Sequence, residues 1–85
     1  MEDQEYAEHI FSIIANVRAD IAIKKDLETH YLEALNALSI INEKADEAAR
    51  NNQNKSTILF KVVGYELYRL KDEMIKAITD KQGKE

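Results

Sequence analysis

An 85-residue chain with 45% apolar and 33% charged residues, no Cys, no Pro and two Gly has the size of one small domain and the composition of a folded one. The lack of Cys excludes disulfide staples and thiolate metal sites, and the near absence of turn residues excludes an all-β fold. The net charge of −4 is uneven: residues 1–50 hold five Lys/Arg against eleven Asp/Glu, and residues 51–85 hold seven against five, too sparse a basic cluster to point to nucleic acid.

The chain opens with Glu2, Asp3, Glu5 and Glu8, acids that suit the positive end of a helix dipole. At 100° per residue, Tyr6, Ile10, Ile13, Ile14, Val17 and Ile21 then form one apolar stripe. The longest low-charge run, His9 to Val17, is far short of the roughly 20 residues that span a bilayer. No basic leader or small-residue cleavage site marks a signal peptide. The polar face of this helix carries Glu8, Arg18 and Asp20 rather than a basic band, so a membrane surface is not the expected partner. These features, with the lack of Cys, make a cytoplasmic protein the expectation.

A second stripe follows at Ile23, Leu27, Tyr31, Ala34, Leu38, Ile41 and Ala45, rotated from the first. A straight helix would present two different faces, so a break is expected at IKKDLE: Lys24 and Lys25 in a closing turn, Asp26 as N-cap, Glu28 in the next opening turn. The stretch RNNQNKST, Arg50 to Thr57, reads as the one plain loop, with Ser56 or Thr57 capping the helix beyond it. That last helix has a core stripe of Leu59, Val62, Val63, Leu67, Leu70, Met74 and Ala77, with Glu66 at its edge. The pattern predicts helices over about 3–24, 27–50 and 56–81 in a single domain spanning 1–85, an all-α antiparallel three-helix bundle. The alternative is one helix of nearly fifty residues that forms a hairpin with the last and dimerises.

Catalytic chemistry is not legible. Glu5 with His9, and Asp26 with His30, stand four apart on helix faces, but neither matches the spacing of a di-iron bundle or of a His-Glu-x-x-His zinc site. Both Gly stand alone, so there is no phosphate cradle. We expect no catalytic residue, metal or cofactor, and an enzyme only if a site were shared between subunits.

The informative feature is KVVGYELYRL, Lys61 to Leu70. Ile58, Tyr65, Tyr68 and Ile75 fall outside the core stripe, at spacings of seven, three and seven that suit a second helix-packing seam. Gly64 is expected to lie against this seam. A helical Gly costs roughly 1 kcal/mol relative to Ala, and a missing side chain would let another helix approach. Tyrosine suits such a surface, offering apolar area with a hydroxyl still able to hydrogen-bond. Phe11 and Ile40 also lie off their own stripes and are candidates to widen the patch.

The run HYLEAL, His30 to Leu35, resembles the Tyr-x-Glu-Ala-Leu opening of a middle helix in microtubule-interacting-and-transport domains and in some tetratricopeptide units. Thr29 stands where a Gly often occupies the preceding turn of those families. The resemblance implies a helical module that holds partner peptides in interhelical grooves, and it transfers no binding residue. The leading expectation is a small non-enzymatic protein-binding module that acts as a dimer, a regulator or inhibitor of the kind supplied by phage or bacterial accessory factors. It would act by occluding a partner through Ile58, Gly64, Tyr65, Tyr68 and Ile75. A purely structural homodimer is the second reading. Nucleic-acid binding through Lys55, Lys61, Arg69, Lys71 and Lys76 is a third, and it predicts salt-sensitive binding to duplex of any sequence.

Overall fold

The structure, a computed structural model, describes residues 2–83. Three helices run α1 (Asp3–Ala22), α2 (Leu27–Arg50) and α3 (Asn54–Gly83), up, down and up. The expected three-helix bundle is the fold, drawn out to 51 × 19 × 15 Å. The chain turns after Ala22, so the single fifty-residue helix does not form.

Neither turn uses Gly or Pro. Lys24 (φ 56°) leaves α1 in the left-handed conformation, with Lys24 N–H donating to Ile21 O at 3.0 Å and Lys25 N–H to Asp20 O at 2.9 Å. Asn52 (φ 58°) does the same after α2, with Asn52 N–H bonded to Ala49 O at 3.2 Å and Gln53 N–H to Ala48 O at 2.9 Å. Both are Schellman endings, which satisfy the last carbonyls of a helix and usually place Gly where Lys24 and Asn52 stand. Asn tolerates that conformation; Lys adopts it against a cost of about 1–2 kcal/mol.

The expected caps differ in detail. Asp26 does occupy the N-cap position of α2, but in the left-handed region (φ 52°) and with no capping bond from its carboxylate. The loop before α3 is only residues 51–53, so Ser56 and Thr57 lie inside the helix. Thr57 Oγ1 donates back to Gln53 O at 2.9 Å, and Ser56 Oγ donates to Asp3 Oδ2 at 2.6 Å, tying the starts of α1 and α3 together.

The core gathers on the inner face of α3: Phe60, Val63, Leu67, Leu70 and Met74 are buried. Against them pack Ile10, Ile14 and Val17 from α1, and Leu38, Ile41 and Ala45 from α2. Each large side chain contributes about 1.5–3 kcal/mol when fully buried. Phe60 replaces Val62 in the expected stripe, because the helical period carried back from Val63, Leu67 and Leu70 reaches Phe60 and leaves Val62 outside. Ile13 and Ile23, placed in the core from periodicity, are exposed, Ile13 on the flank of α1 that faces His30 and Ala37 and Ile23 in the turn. Buried Ala7 and Ala48 extend the core instead.

Lys24→Gly should raise the unfolding free energy by about 1 kcal/mol and Lys24→Val should lower it, both read from urea unfolding midpoints. Phe60→Ala should cost about 3–5 kcal/mol, enough to lower the thermal midpoint of so small a bundle by more than about ten degrees.

Candidate functional site

The outer side of α3 is set by what its inner side must bury. With Phe60, Val63, Leu67, Leu70 and Met74 turned inward, the helical period leaves Ile58, Tyr65, Tyr68 and Ile75 on the opposite surface. Their exposures are 64%, 62%, 51% and 41%, and Val62 beside them is 48% exposed. From Ile58 to Ile75 this surface runs about 25 Å along the helix. Cations border both rings: Lys71 Nζ stands 4.2 Å from the Tyr68 ring centroid, and the Arg69 guanidinium 6.0 Å from that of Tyr65. Each such contact contributes about 0.5–1 kcal/mol at an exposed site and orients the ring.

Gly64 does not belong to this surface. It is buried, and a Cβ added to it would meet Ile41 Cγ2 at 3.5 Å and Asn42 Oδ1 at 3.7 Å, so it faces α2. One residue is a step of about 100°, enough to carry position 64 from the outer side of Tyr65 to the α2 flank. The helix it admits is a neighbour in its own chain. Phe11 and Ile40 do not widen the patch either: Phe11 is half-buried against the core, and Ile40 lies on the flank of α2 turned away from Asn42 and α3.

On the other flank of α3, Arg18 of α1 reaches two carboxylates one heptad apart. Its Nε is 3.1 Å from Glu73 Oε2 and its Nη2 is 3.3 Å from Glu66 Oε2; Glu66 also meets Arg69 at 3.5 Å. Burial works against the charge on Arg18, but the hydrogen bonds and charges of Glu73 and then Glu66 outweigh it, holding the guanidinium above its ordinary value. That contribution is complete at any pH below the ordinary arginine range and is lost only in strong alkali. The clamp therefore fixes α1 on α3 without making the bundle sensitive to pH through Arg18. Sequence periodicity placed Glu66 at an edge correctly and left Arg18 on the polar face of α1; the signal was the Glu66–Glu73 spacing of seven, which asks for a basic partner.

His30 makes its hydrogen bond across the first turn rather than with Asp26. Its Nε2 lies 2.8 Å from Asp20 Oδ2, not against Asp26, while Nδ1 is buried with no hydrogen bond and has Glu33 Oε1 at 3.5 Å. The ring borders a shallow apolar groove of about 120 Å3 between α1 and α2, walled by Ile10, Ile13, Ala37 and Leu67. Among the described residues no group of three or more His, Asp or Glu is placed to hold a metal, and no helix is long and apolar enough to cross a membrane.

Comparison of the chain with protein-family models, with curated proteins and with solved structures finds no match to any of them. The likeness of HYLEAL to microtubule-interacting-and-transport domains thus stays a likeness of six residues. In the structure Tyr31 and Ala34 of that run serve the core, while Leu32 and Leu35 are exposed.

The inward placement of Gly64 has a measurable consequence. Both distances from the added Cβ are ordinary van der Waals contacts, so Gly64→Ala should stabilise the bundle by about 0.5–1 kcal/mol through helix propensity. Gly64→Leu, forced against Ile41, should lower stability, and chemical denaturation of the two variants separates the cases.

Proposed function

We propose that the protein is a non-enzymatic binding module that covers a helix or groove of another polypeptide with the outer face of α3. The observation that supports this reading is the run of Ile58, Val62, Tyr65, Tyr68 and Ile75, five large side chains exposed on one helix whose other side already fills the core. Isolated exposed apolar residues are ordinary, but a row of them at helix-packing spacing, with two tyrosines at its centre, has the composition of a recognition surface. Occlusion is the mechanism such a face supports: its bound partner loses access to whatever it covers, which is how a regulator or inhibitor without chemistry of its own works.

The tyrosines are its expected anchors, since buried aromatics dominate binding energy at interfaces. Tyr65→Ser combined with Tyr68→Ser should leave far-UV circular dichroism near wild type, because both rings lie outside the core. Immobilised wild-type protein should retain a polypeptide, itself or another, that the double variant releases. Collapse of helicity in the variant, or unchanged retention, would remove the reading.

A further inference from the structure

The outer face of α3 has an order that its apolar residues alone do not require. Positions 58, 61, 65, 68, 72 and 75 follow alternating steps of three and four, the seam of a heptad repeat, and all six side chains are exposed. By the helical period the seam lies about 150° from the middle of the core face, which leaves α1 and α2 on the far side of α3.

The seam is also symmetric in chemical type about a point between Glu66 and Leu67. Tyr65 and Tyr68 flank that point, Lys61 and Asp72 stand one step farther out, and Ile58 and Ile75 one step beyond. A two-fold axis through the point, perpendicular to α3, would set two copies of the helix antiparallel and superpose each residue on its counterpart. Every Tyr65 then faces a Tyr68, every Ile58 an Ile75, and every Lys61 an Asp72. Each pairing occurs twice. A two-fold interface uses one surface against itself, so it demands such self-complementarity; an unrelated partner demands none.

The charges of the seam distinguish the two possible orientations. Lys61 and Asp72 are the charged members of the seam and have opposite signs, and among the described residues neither is paired within its own chain. Parallel pairing would place Lys61 on Lys61 and Asp72 on Asp72. Antiparallel pairing turns both repulsions into attractions, and the seam extends with neutral polar residues at both ends, Asn54 against Thr79.

We propose that the outer face of α3 is covered by a second copy of this chain, in an antiparallel two-fold pairing that sets Tyr65 against Tyr68, Lys61 against Asp72 and Ile58 against Ile75. The inference rests on the reading of this face as the binding surface and names its occupant.

The test is charge reversal with complementation, followed by light scattering coupled to size exclusion across a wide concentration range. Wild type is expected to be a dimer. Lys61→Asp places acid against acid twice per dimer and Asp72→Lys places base against base twice, so each variant alone should dissociate at least about tenfold more readily. Mixed in equal amounts they should recover the dimer. In a pair made of one of each, the introduced acid of one copy meets the introduced base of the other, and the native Asp72 of the first meets the native Lys61 of the second. Both positions are exposed, so circular dichroism should be unchanged in either variant.

A wild-type monomer at all concentrations overturns the second copy as occupant; the face itself is then judged by whether the double serine variant releases another polypeptide. A dimer indifferent to both reversals, or one the mixture fails to restore, overturns the pairing. A dimer that survives the loss of both tyrosines overturns the pairing, and the face is then judged by the same retention of another polypeptide.

Discussion

The bundle depends on one helix having two neighbours on a single inner arc. Phe60, Val63, Leu67, Leu70 and Met74 of α3 are buried by α1 and α2 together, whereas α1 and α2 approach each other closely along little of their length. Remove that arc and neither of the other helices has a large apolar partner. The same arrangement dictates where function can lie. Two neighbours occupy one side of α3, and among the described residues no element lies on the other.

The flanks of α3 show how close packing is divided between the two neighbours. Toward α2 the device is an absence: Gly64 lets Ile41 and Asn42 come near. Toward α1 it is a charge clamp, Arg18 between Glu66 and Glu73, flanked at the amino end by Ser56 on Asp3. Partly exposed ion pairs of this kind contribute only about 0.2–1 kcal/mol, so the clamp sets the register of α1 more than it sets stability.

The fold was legible because each helix carries its own periodic stripe, and the change of stripe phase near Lys24 marked a turn that no Gly or Pro announces. Residues at the centre of a stripe, such as Ile14, Ile41 and Leu67, were placed by period alone. Those on flanks were not. Val62 stands two residues, a rotation of about 200°, from both Phe60 and Gly64, and only the neighbouring helices decide which side of the boundary counts. The pairing of Arg18 was not read for a related reason: the Glu66–Glu73 spacing asks for a basic partner, but the two carboxylates lie 48 and 55 residues from Arg18 and no single helix's pattern encodes register between helices. The exposed row on α3 was the easiest feature of the site to read, because a helix cannot bury both faces in a bundle of three. The pairing proposed for that row rests on its symmetry about Glu66 and Leu67, a property of order rather than of hydropathy.

The unequal pairing of the helices also sets an order of events in time. Both connections are short, but α2 and α3 pack along much of their length whereas α1 and α2 do not, so the α2–α3 hairpin should close first. α1 docks onto that hairpin with a narrower contact, through Ile10, Ile14, Val17 and the Arg18 clamp. It is therefore the expected unit of local unfolding: its amides should exchange with solvent ahead of those in α2 and α3, and its departure would bare Leu67 and Leu70 while leaving the outer row of α3 undisturbed. On that order of opening, the surface proposed for recognition would belong to the most persistent part of the molecule.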